Sequence, residues 1–68
     1  MNFTIEYEQE EDGRWIAEVP QLPGVLVYGA TAEEAMTRAE ALALRVLAER
    51  LETSECKPMP ISIAFSAA

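Results

Sequence analysis

Apolar residues change their period twice along this chain, from strand to helix and back, and the changes divide it into two kinds of structure. Phe3, Ile5 and Tyr7 alternate with Asn2, Thr4, Glu6 and Glu8, and Trp15, Ala17 and Val19 alternate with Arg14, Ile16 and Glu18. Period two marks a strand with one apolar face. Past Thr31 the spacing becomes helical: Ala35, Met36, Ala39, Leu42, Ala43 and Val46 share one face. A chain patterned this way is expected to lay one amphipathic helix on a small sheet.

The punctuation gives the order of elements. The loop Gln9–Gly13, with Asp12-Gly13 between the two alternating segments, is a hairpin signal. Pro20 ends the second strand or lies at an edge, because it cannot donate to a ladder. Leu22-Pro23-Gly24 then makes a bend, and Val25–Tyr28 forms a short third strand closed by Gly29. Thr31 is an N-cap and Glu34 completes a capping box, which starts a helix over Ala32–Glu52. Thr53–Pro60 is a polar linker with Pro58 and Pro60. Ile61, Ile63 and Phe65 alternate with Ser62, Ala64 and Ser66 as a fourth strand. The expectation is a single α+β domain over residues 1–68, ordered β-β-β-α-β. A three-stranded antiparallel meander is followed by a crossover helix and a fourth strand parallel to the first.

Two positions resist a single-helix, single-sheet reading. Ile16 interrupts the polar rhythm of its strand, which implies that the outer sheet face is partly covered. Leu44, Leu47, Ala48 and Leu51 broaden the apolar surface of the helix's second half. Either Leu47 and Leu51 touch the core edge and Leu44 is an ordinary exposed leucine, or Leu44, Ala48 and Leu51 form a subunit contact. The subunit contact is preferred. A domain of 68 residues is marginal alone, and one cysteine with no histidine supplies neither a disulfide nor a zinc site. A homo-oligomer, dimer or larger, is therefore expected.

Charge narrows the partners. Twelve acidic residues against five basic ones leave a net charge of −7, and the arginines are scattered among carboxylates. Direct nucleic-acid binding, which needs clustered cations, is not expected. A basic protein partner fits better, with the hairpin tip Glu10-Glu11-Asp12 as its candidate contact. No signal peptide or membrane span is read, so the expected location is the cytoplasm with Cys56 reduced.

No catalytic constellation stands out. Glu6, Glu8 and Glu18 share one sheet face but read as a solvated polar surface rather than as ligands for paired cations. Cys56 beside Lys57 has no histidine to act as its base, so it is read as incidental. Trp15 is assigned to the core beneath the helix, with Phe3, Tyr7 and Phe65 as neighbours, and Tyr28 to the outer face or the rim. The reading is of a non-enzyme without cofactors or metals.

One ordered set of residues carries a family resemblance. Glu11-Asp12-Gly13, Trp15, Ala17, Val19-Pro20, Leu22-Pro23-Gly24, Gly29, Thr31 and Glu33-Glu34-Ala35 stand at a spacing that resembles the N-terminal domain of the HicB antitoxins. The resemblance covers about Phe3 to Ile63. It implies a partial ribonuclease-H-like fold with the fourth strand beside the first. It also implies an antitoxin that occludes a small basic mRNA-cleaving HicA-like toxin. Many HicB proteins carry a further DNA-binding domain, and no separate one is expected here. The alternative is a solitary HicB-like homo-oligomer with a structural or regulatory role and no toxin, assembled through the helix stripe around Leu44, Ala48 and Leu51 or through an exposed strand edge.

Overall fold

The computed structural model describes residues 1–53, 57–58 and 60–68. Strands β1 (Asn2–Gln9), β2 (Trp15–Glu18) and β3 (Leu26–Gly29) precede helix α1 (Ala32–Glu52), and β4 (Ser62–Ala67) follows it. The sheet order is β3-β2-β1-β4. Both meander pairs are antiparallel and β4 runs parallel to β1, so the sheet is mixed. The placement of β4 beside β1 is the arrangement the resemblance implied; alternation alone shows no neighbour choice.

Local chemistry explains each boundary. Gly13 turns the hairpin at φ 93° and Gly24 turns the bend at φ 94°, a region open to glycine. β2 ends at Glu18, and just beyond Pro20 the Gln21 side chain reaches β1: its Oε1 accepts the Thr4 N–H at 3.3 Å. At the helix start, Thr31 Oγ1 accepts the Glu34 N–H at 3.1 Å. Glu34 reaches back one residue further than a standard capping box, accepting the Ala30 N–H at 3.1 Å. Thr31→Ala should cost about 1 kcal/mol. That lowers Tm by about 4–8 °C in a domain this small, whereas Thr31→Ser should hold Tm nearly level. Thermal unfolding followed by circular dichroism checks both.

The core lies between α1 and strands β1 to β3. Phe3, Ile5, Ala17, Val19, Leu22 and Val25 meet Ala35, Ala39, Ala43 and Leu47. Leu47 is 1 % exposed. It belongs to the central stripe, not to the second stripe assigned from sequence, because the buried line on α1 advances in steps of four residues from Ala35. Met36, Leu42 and Val46 flank that line half-buried.

Two further expectations are corrected. Trp15 packs against the core with Tyr7 as a neighbour, as expected, at a ring-centroid distance of 6.3 Å, but it is only half-buried, and Phe65 pairs in register with Ile5 on the far side of β1. The helix also leaves part of the sheet uncovered. It lies over β1, β2 and β3, and on the apolar face of β4 Phe65 remains 48 % exposed.

Candidate protein-binding face

The sheet face turned away from α1 carries no second layer among the described residues. Register places its side chains in rows. Glu8, Ile16 and Tyr28 form one row across β1, β2 and β3, and Glu6, Glu18 and Leu26 form the next. Leu26 is 46 % exposed, Tyr28 is also exposed, and Ile16 is half-buried. Half-buried Ile16, paired with Tyr28, joins Leu26 in an apolar strip on this face.

That strip is bordered by carboxylates. Glu6 stands directly opposite Glu18 on the neighbouring strand. Like charges at directly paired positions are destabilising, so this arrangement works against the fold when the face is empty. A cation arriving between them would relieve the repulsion.

The hairpin tip next to this face is not a uniform acidic knob. Asp12 Oδ1 accepts the Arg14 N–H at 3.0 Å, and its Oδ2 accepts from Arg14 Nε at 2.8 Å. These hydrogen bonds, backbone first, hold the Asp12 carboxyl below its ordinary value of 3.8. The Arg14 guanidinium is raised in turn, chiefly by the same side-chain hydrogen bond. Of the three tip residues, Asp12 is thus turned back onto its own arginine. Glu10 is half-buried and Glu11 exposed, and the Glu10 carbonyl accepts the Gly13 N–H at 3.0 Å.

Tyr28 ties the strip to two cations. Arg14 Cζ lies 4.5 Å from the Tyr28 ring centroid, within cation–π range. Arg38 Nη1 donates to the Tyr28 carbonyl at 2.9 Å, and its Nη2 lies 3.2 Å from Glu34 Oε1. A shallow depression is lined by Arg14, Tyr28, Gly29, Ala30 and Arg38. Both arginines already face carboxylates there, so the depression adds shape to the strip rather than free positive charge.

Sequence reading placed Glu6, Glu8 and Glu18 on this face and offered Tyr28 to it, but it missed Leu26. Tyr28, two residues on and in the same strand phase, was the available signal. The other candidate set lies elsewhere: Leu44, Ala48 and Leu51 are exposed on α1, across the domain from this strip. Cys56 falls outside the described residues. Among the described residues, no group of three or more histidine, cysteine, aspartate and glutamate side chains is placed to hold a metal ion. No helix is long and apolar enough to cross a membrane. Comparison with family models, with curated proteins and with solved structures returns no match.

Proposed function

We propose that this chain is a HicB-type antitoxin-like protein that binds and occludes a small basic HicA-like toxin through its open sheet face. The observation that carries the reading is the direct pairing of Glu6 with Glu18 beside the exposed strip of Ile16, Leu26 and Tyr28. Exposed apolar side chains rimmed by one sign of charge fit a protein partner of the opposite sign. The ordered residues from Glu11 to Ala35 that resemble HicB proteins support the same reading, as does the β-β-β-α-β order. Glu11 and Glu10 extend the acidic rim toward the hairpin tip. The action is steric and electrostatic: a negative surface covers the positive RNA-binding surface of the toxin and the group that cleaves. The chain itself performs no bond chemistry, and it needs no cofactor.

The test is co-expression with the basic, histidine-containing product of an adjacent reading frame. The native chain should restore growth to cells making that product. The triple variant Glu6→Lys, Glu8→Lys, Glu18→Lys should lose affinity by at least about a hundredfold and fail to restore growth. The triple variant exchanges one like-charge pair at positions 6 and 18 for another and leaves the core untouched, so circular dichroism should show an intact fold. Neutralisation by the variant at native strength would exclude this face as the binding site.

A further inference from the structure

We propose that β4 is the edge through which a second copy of this chain adds, extending the sheet across a two-fold axis. The two edges of the sheet are treated differently. At the β3 edge, Val19 N–H donates to the Val25 carbonyl, so odd-numbered residues there face β2 and Tyr28 faces outward. The outward Tyr28 carbonyl is already taken by Arg38. An incoming strand finds that edge obstructed by a charged side chain, a recognised way of closing an edge.

Among the described residues the β4 edge has no such device. Ser62 N–H donates to the Met1 carbonyl and Ala68 N–H to the Tyr7 carbonyl, so even-numbered residues of β4 face β1. Ile63, Phe65 and Ala67 therefore turn their N–H and C=O groups outward. Not one residue from Pro58 to Ala68 carries a charged side chain, and the strand itself contains no proline. A six-residue neutral strand at an open edge is a template for strand addition.

Charge selects the occupant. The chain carries −7, and all of its charged side chains lie at or before Lys57. Two copies carry the same net negative charge and repel over their charged surfaces; at β4 they meet through side chains that carry no charge. The strip is also self-complementary. An antiparallel register with the axis at Phe65 pairs Phe65 with its own copy and Ile63 with Ala67 of the other chain. Every outward N–H and C=O of these residues is then satisfied.

The side-chain layer agrees with the backbone. Arg38 marks the flank of α1 that faces β3; Leu44 lies on the other side of the buried stripe, and Leu51 continues that stripe one step of four beyond Leu47. Leu44 and Leu51 are 48 % and 39 % exposed. Joining two β4 strands brings both copies of Phe65 together on the helix side, in the trough those leucines border. Ala48 points to the outer face of α1 and takes no part.

The inference goes beyond toxin binding and uses a different surface, so its failure and that of the antitoxin reading are seen separately. The test is sedimentation velocity on the 68-residue protein at micromolar concentration. The expected mass is twice 7.5 kDa. Phe65→Pro removes an outward N–H but no hydrogen bond to β1, so it should raise the dimer dissociation constant by at least about a hundredfold, to a monomer with native strand content. Phe65→Lys sets two ammonium groups at the axis on a side chain that is half exposed in the monomer, and should do the same. Tyr28→Glu, on the open face, should leave the dimer intact. A monomeric native chain, a folded Phe65→Lys variant that remains dimeric, or dissociation by Tyr28→Glu would each overturn the proposal.

Discussion

Gly29→Ala should unfold a large fraction of this protein's stability, although the change adds a single methyl group. The glycine is buried in β3, paired with Trp15, and its backbone lies against the first turn of α1. A Cβ built there comes within 2.6 Å of the Ala35 nitrogen, 3.0 Å of the Ala35 Cα and 3.1 Å of the Glu34 carbonyl carbon. All three atoms are backbone, so no rotamer change makes room. Either the helix start lifts away from β3 or the strand bends, and both disturb the Thr31 cap and the contact at Ala35 and Ala39. Overpacking against rigid backbone belongs at the upper end of its usual range, about 3 kcal/mol. A domain of this size holds roughly 3–10 kcal/mol in total. The expected fall in Tm is about 12–24 °C.

Two controls isolate the cause. The double variant with Ala35→Gly should recover nothing, since the methyl group it removes is not what the new Cβ strikes. Gly13→Ala meets no atom within 4 Å and suffers only from its φ of 93°, a cost of about 1–2 kcal/mol. If Gly29→Ala is no worse than Gly13→Ala in urea or thermal unfolding, the close approach of helix and strand is not the constraint described here.

The contrast between these glycines shows what was readable from the chain and what was not. Gly13 and Gly24 stand in turn contexts, Asp-Gly and Pro-Gly, whose local chemistry announces them. Gly29 was read as the end of a strand; its closeness to Ala35 is a tertiary distance with no local signature. The helix start was legible to the residue, because Thr31 and Glu34 act within a turn of where they stand; the end at Glu52 is capped by Thr53, whose hydroxyl donates to the Glu49 carbonyl, while the first proline stands further on at Pro58. The antiparallel meander was legible from alternation and short connections. Burial along α1 was less so. A stripe drawn at ideal spacing admits both Val46 and Leu47, and only the tilt of the helix across three strands decides that Leu47 goes inside. Coverage of β4 was not legible at all. Its apolar alternation is as regular as that of β1, yet the small sheet is one strand wider than the helix reaches. For the candidate faces, the carboxylates were found by strand phase, whereas the Glu6–Glu18 pairing needed the register. Asp12 was read as a free charge because its clasp on Arg14 depends on how the turn closes.

Leu47→Ala should match Gly29→Ala in size while acting through the opposite defect. The other fully buried positions of α1 are alanines: Ala35, Ala39 and Ala43. They let the helix lie close to the sheet, but each buries little surface. Leu47 is therefore the one large side chain that α1 drives fully into the core. Truncation loses the transfer free energy of its methyl and methylene groups and leaves a cavity. Its neighbours on the sheet, held by the ladder, relax only in part. The combined cost should be roughly 3–4 kcal/mol. Leu44→Ala removes the same atoms from the same helix at a position 48 % exposed. In dilute solution, below any self-association, that change should stay within about 0.5 kcal/mol. Urea unfolding of the two variants, followed by Trp15 fluorescence, measures the difference directly. A gap under about 1 kcal/mol between them would mean that α1 is held chiefly by its alanine stripe and its Thr31 cap, and that Leu47 is not the anchor of the helix on the sheet.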